Sequence, residues 1–129
     1  MKTTYKLLLS IAVLATSLFS SCELYNPAEP IPAYIHIKKF TLTTKTDGSE
    51  GSNSHKITDA WVYVDDQIIG CFELPVTFPV ISEGTHRVKI IPGIKVNGIA
   101  ANRGQYPFYT SHEQDVDFQE GKTITLSPA

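Results

Sequence analysis

The stretch that decides the fold is Ile57-Thr58-Asp59-Ala60-Trp61-Val62-Tyr63-Val64-Asp65-Asp66-Gln67-Ile68-Ile69-Gly70-Cys71-Phe72. β-Branched and aromatic residues fill both arms, and they suit a pleated, half-buried surface. Two such runs around a two-residue turn read as a β-hairpin. With Asp65-Asp66 as the turn, Val64 faces Gln67, Val62 faces Ile69 and Ala60 faces Cys71. Trp61 then lies opposite Gly70 and covers its missing side chain. Tyr63, Ile68 and Phe72 share that face. Asp-Asp is weaker turn chemistry than Asp-Gly, because the tight hairpin turn needs positive φ at both central residues.

Beyond the hairpin, Leu74-Pro75-Val76-Thr77-Phe78-Pro79 carries two prolines. It cannot be a central strand throughout, and reads as an edge segment or a crossing between sheets. After a turn at Glu83-Gly84, residues 85–91 alternate. Arg87 and Lys89 lie on one face, and His86, Val88 and Ile90 on the other. Pro92-Gly93 is expected to end this strand. Ile94-Lys95-Val96 and Ile99-Ala100-Ala101 flank Asn97-Gly98, a strong hairpin signal. Residues 102–112 hold the aromatic group Tyr106-Pro107-Phe108-Tyr109. Residues 113–118 form a strand with Val116 and Phe118 on one face. Glu120-Gly121 turns it into a last strand over 122–126.

On the N-terminal side, residues 34–44 read as a first strand. Ile35 and Ile37 share one parity, Phe40 and Leu42 the other, so Lys38-Lys39 marks a bulge or a change of sheet. Residues 45–56 contain no apolar side chain and form an exposed loop. Residues 22–33 carry Pro27, Pro30 and Pro32 and read as an extended tether, roughly 30 Å long at about 3.1 Å per residue. Seven to eight short strands with regularly spaced turns predict an all-β chain, an antiparallel Ig-like β-sandwich over residues 34–129. The Cys–Trp–Cys constellation of true immunoglobulin domains is absent, so the likeness is one of architecture.

The first 21 residues have the order of a secretory signal peptide. Lys2 and Lys6 precede the apolar run from Leu7 to Ala15, and small and polar residues lead into Cys22. A membrane-spanning helix needs roughly 20 apolar residues, more than this run offers. Leu18-Phe19-Ser20-Ser21-Cys22 resembles the lipobox of bacterial lipoproteins, in a permissive form similar to those of the Bacteroidetes. Phe19 stands where Leu is usual. The resemblance implies diacylglycerol on Cys22, cleavage before it, and a lipid-anchored place in the cell envelope, at the outer membrane on its periplasmic or surface side. Several acyl chains give the stable anchoring that one chain does not. The alternative is an ordinary cleavage site with Cys22 as a plain residue. An acylated Cys22 leaves Cys71 without a partner, as a small buried hydrophobe. Otherwise an oxidising compartment could join the two.

Residues 60–91 are similar to PEGA-type, Ig-like modules of bacterial surface proteins. The matching residues are Val62-Tyr63-Val64-Asp65-Asp66, Ile69-Gly70, Leu74-Pro75 and Glu83-Gly84-Thr85-His86-Arg87-Val88-Lys89-Ile90. Asp66 stands where those modules have Gly. The resemblance implies a non-enzymatic β-domain with no catalytic residues to carry over.

Composition excludes some partners. The chain has 11 Lys and Arg against 13 Asp and Glu. Two of the basic residues leave with the signal peptide, so the mature chain is the more acidic and lacks a nucleic-acid footprint. Membrane contact is expected from the lipid alone. No nucleophile motif, no cofactor motif and no catalytic residue is read. His36, His55, His86 and His112 are too scattered for a zinc motif, and no metal is expected. Glu113, Asp115 and Asp117 share a strand face; they could begin a calcium site, but a solvated face accounts for them. Arg103, Tyr106, Phe108 and Tyr109 form a candidate binding surface, since aromatic rings beside polar groups grip carbohydrates and proteins. The competing reading is that these rings fill one end of the sandwich. The function expected is a lipid-anchored, non-catalytic binding or structural module of the envelope. The alternatives are an accessory carbohydrate binder of a glycan-uptake system, and an adhesin or pilus-type subunit.

Overall fold

The computed structural model describes Thr4, Lys6, Leu8 and residues 28–129. Thr4, Lys6 and Leu8 have helical backbone. The expected signal-peptide cleavage site, Cys22 and the first part of the expected tether lie outside the described residues. The chain divides into two compact units, 1–30 and 31–129, and the strands of the described residues all lie in the second.

Eight strands form two packed sheets: β1 (Ala33–Ile37), β2 (Asp59–Val64), β3 (Gln67–Glu73), β4 (Val76–Val80), β5 (Gly84–Lys95), β6 (Arg103–Gln105), β7 (His112–Phe118) and β8 (Thr123–Leu126). One sheet has the order β4-β1-β8. The other runs β3-β2-β5-β6, with β7 also paired to β5. The molecule is an all-β sandwich. Between the sheets, Ile35, Ile37, Phe78 and Leu126 meet Val62, Val88, Ile90 and Phe118, all buried. Phe72 and Phe78 stack across the layers with centroids 4.4 Å apart and planes 7° from parallel. Burial of such side chains contributes about 1.5–3 kcal/mol each.

The β2–β3 hairpin forms on Asp65-Asp66, which adopt φ of 48° and 63°. Val64 pairs with Gln67 as expected. The register then shifts between Val62 and Tyr63, so that Val62 faces Gly70, Trp61 faces Cys71 and Ala60 faces Phe72. Ile69 is the extra residue of the bulge. The slip reverses the faces of β3. Phe72 turns to the inner layer, where its ring occupies the space a Gly70 side chain would need, 2.9 Å from the ideal Cβ position. Trp61 does not cover Gly70. Cys71 is not a core residue: it is only half-buried and pairs with Trp61 on the outer face.

The segment with two prolines crosses from an edge of one sheet to an edge of the other, as β3 passes into β4. Leu74–Pro75 is a cis peptide bond. Pro92-Gly93 does not end β5, which runs on to Lys95. β7 pairs along Gly84 to Ile90 and β6 along Gly93 to Lys95. Pro92 falls between these partners on that side of the strand. Its missing N–H therefore breaks no ladder bond, while its carbonyl accepts from Tyr106 N at 2.8 Å.

Asn97 and Gly98 do make a turn, at φ 53° and 74°. A second turn follows, Asn102 N donating to Ile99 O, so the returning strand is β6 at Arg103–Gln105 and not residues 99–101. β1 stops at Ile37. Residues 38–44 leave the sheet but follow the end of the chain, with Lys38 N bonded to Leu126 O and Thr41 N to Pro128 O, each at 3.0 Å. β1 and β8 pair in parallel, the exception to an otherwise antiparallel arrangement. The tether ends early: Ala33 is already buried in β1.

Candidate functional site

A cleft of about 650 Å³ opens where residues 38–57 meet the link from β6 to β7. Its lining joins Phe40 and Leu42, the hydroxyl residues Thr41, Thr43 and Thr44, the loop residues Glu50, Ser52 and His55, and Phe108, Tyr109 and Thr110 from the link. Pro92 also lines it. The volume lies within the range of about 300–1,000 Å³ for small-molecule sites.

Two local features shape the cleft. His55 fixes its loop wall: one ring nitrogen lies 3.1 Å from the carbonyl of Phe40, to which it donates, and the other accepts from Ile57 N at 3.3 Å. Glu50 is held by Lys45 through the ammonium at 3.1 Å and the backbone N–H at 2.9 Å. On the far side, Tyr106 packs edge-on against Phe108 and Tyr109, with centroids 5.4 and 4.9 Å apart. These rings do not fill the sandwich core. Phe108 is 80 % exposed, and with Tyr109 and Phe40 it gives the cleft an aromatic lining.

Arg103 does not join this group. It extends over the outer face of the five-stranded sheet, where its Nε lies 3.5 Å from a carboxylate oxygen of the fully buried Asp59. The pair attracts by charge without hydrogen-bond alignment. Glu73 lies 3.9 Å from the same guanidinium and 3.1 Å from Lys95 Nζ. Asp59 tolerates this position because its neighbour is Gly93, where a Cβ would come within 3.2 Å of Asp59 backbone. Burial pushes the Cys71 thiol up, and nearby Arg103 pulls it part of the way back. That is the opposite of thiolate activation.

Sequence reasoning missed one constellation. Ser82 Oγ lies 2.8 Å from His86 Nε2, and His86 Nδ1 lies 2.5 Å from Asp65 Oδ2. The order Ser–His–Asp is that of a hydrolase triad. The second contacts decide its chemistry. Nε2 also lies 3.0 Å from the carbonyl of Glu83, which can only accept. Nδ1 faces a carboxylate, which also accepts. Nδ1 donates to Asp65, while Nε2 donates to the Glu83 carbonyl when the ring is protonated and accepts from the Ser82 hydroxyl when it is neutral. The hydrogen bond to Asp65 raises the His86 pKa above its ordinary value, helped by the Glu83 carbonyl. While it is protonated, the ring cannot take a proton from Ser82. The group clasps the β2–β3 turn to the β4–β5 turn. Asp65 Oδ1 completes it by accepting from Arg87 N at 3.0 Å. Ser82 and His86 are four residues apart, but Asp65 lies 21 residues before His86, and the pairing of β2 with β5 brings it to them.

Glu113 and Asp115 sit directly across from Lys89 and Arg87. They form ion pairs at 3.3 and 3.4 Å. The Lys89 ammonium, followed by the Ser111 hydroxyl, holds the Glu113 carboxyl below its ordinary value. Among the described residues no group of three or more metal-ligating side chains converges. Also among them, no helix is long and apolar enough to cross a membrane. Comparison with protein-family models, curated proteins and solved structures found no match.

Proposed function

We propose that this chain is a lipid-anchored envelope protein whose β-sandwich is a non-catalytic module that binds through the cleft between residues 38–57 and 108–110. The anchoring part rests on the sequence, through the signal-peptide pattern and Cys22. The binding part rests on one observation: Phe108 stands 80 % exposed at the rim of a formed cleft. The resemblance of residues 60–91 to PEGA-type modules supports a binding or structural role at the outer membrane. The Asp65 carboxylate and the Glu83 carbonyl favour the protonated form of His86, which supports a non-catalytic role for the group. The acidic mature chain supports contact with the membrane by lipid alone and no nucleic-acid partner.

The anchor is tested by radiolabelled palmitate and membrane fractionation. Native protein takes up label and sediments with membranes. Cys22→Ser abolishes labelling and accumulates unprocessed chain. Label retained by Cys22→Ser would remove Cys22 from the account. Hydrolysis of any envelope polymer by the purified protein, lost in Ser82→Ala, would overturn the non-catalytic reading.

A further inference from the structure

The chemistry of the cleft narrows its ligand. We propose that it takes an uncharged saccharide, an inference that rests on the cleft being the binding end of the module. Three observations carry it. First, no Arg or Lys side chain lines the cleft. Its one formally charged side chain, Glu50, has both carboxylate oxygens engaged by Lys45. The ring nitrogens of His55 are both used to hold the loop. An anionic ligand calls for Arg or Lys forks that this lining lacks.

Second, the cleft is rich in hydroxyls. Thr41, Thr43, Thr44, Thr110 and Tyr109 line it, and none of their hydroxyls is tied into a hydrogen bond with another described residue. A hydroxyl both donates and accepts, which is the pattern a sugar hydroxyl presents in return. A purely apolar ligand would bury these groups unpaired, an outcome that opposes binding.

Third, rigid aromatic faces flank the hydroxyls. Phe108 is held edge-on by Tyr106, and Tyr109 packs on the same ring. The C–H face of a pyranose ring is apolar and flat, and it packs on such a surface while its rim of hydroxyls reaches polar groups.

The test is NMR titration of the isotope-labelled full chain with separate probes. These are neutral hexose, pentose and N-acetylhexosamine oligosaccharides, oligosaccharides of a uronic acid, and a medium-chain fatty acid. The expected result is saturable shift changes at residues 40–44 and 108–110 with a neutral oligosaccharide. Phe108→Ala should weaken that affinity about three- to tenfold, and Thr43→Val should weaken it as well. Both positions are exposed, so neither variant threatens the fold. Shifts at the cleft with the uronic acid or the fatty acid alone would overturn the saccharide and leave the cleft as a binding site. No shift there with any probe would overturn both. Saccharide binding that is unchanged in Phe108→Ala and Thr43→Val would place the sugar elsewhere and also overturn the inference.

Discussion

His86 ties together two turns that approach only in the folded chain, so its protonation is linked to stability. Its folded pKa is raised by Asp65, and the stabilising contribution is full below the ordinary value of about 6.5. It is lost as pH rises through the raised value. The Asp65 pKa is lowered, first by His86 and then by the Arg87 N–H. Its contribution is present above the ordinary carboxylate value and lost as pH falls through the lowered one. The difference in Tm between native protein and His86→Ala should be largest near about pH 5–6 and shrink by about pH 9. An equal difference at both would show that the imidazolium is not the source. Arg103 leads to a second expectation. Arg103→Ala strands the buried Asp59 carboxylate and should cost about 2–3 kcal/mol in denaturant unfolding, the low side for a broken buried pair because Arg103 itself is partly exposed. Neither role was legible in the sequence. Arg103 lies three residues from Tyr106 and was grouped with it. Strand parity sends it to the outer face of the sheet, while the rings follow the link to the cleft.

The elements were largely legible where the pattern of apolar residues is strong. The β2–β3 hairpin, β4 as a crossing, β5 and β7 all follow from their alternation and turns. The misses have local causes. Ile68-Ile69 presents two adjacent residues of one type, so nothing in the pattern reveals which is the bulge. Pro92 looks like a terminator, but its neighbours β6 and β7 leave a gap at that point. Asn97-Gly98 turns the chain as expected, yet the second turn at Ile99–Asn102 delays the return. The hairpin turn offers a direct check. Asp66 holds φ 63°, a conformation that costs a side chain more than it costs Gly. Asp66→Gly should therefore stabilise the protein by about 0.5–1 kcal/mol. Asp65→Gly should not, because it also removes the carboxylate that holds His86. Thermal melts of the two variants would separate turn strain from the clasp.

For the whole molecule, a two-sheet sandwich was readable from strand number and spacing. The parallel pairing of β1 with β8 was not, because it joins the two ends of the domain and no local pattern encodes it. Phe118, 1 % exposed and in contact with the His86 ring, lies in the single core that both sheets share. Phe118→Ala should cost about 3–5 kcal/mol, read as a lowered Tm. The cleft borders that core at Phe40, which lines the one and packs against the other. Its walls come from the segments that sequence reading treated as a plain polar loop and as an aromatic cluster of uncertain side. The sequence showed the aromatic half of the site; the hydroxyl half needed the fold to bring residues 38–57 across to it. The most direct test of the account is photo-crosslinking in cells, with benzoylphenylalanine in place of Phe108 or of Ile81, which is 73 % exposed but does not line the cleft. The account predicts discrete adducts from position 108 that are missing from position 81. Equal labelling from both positions, or none from 108, would contradict it.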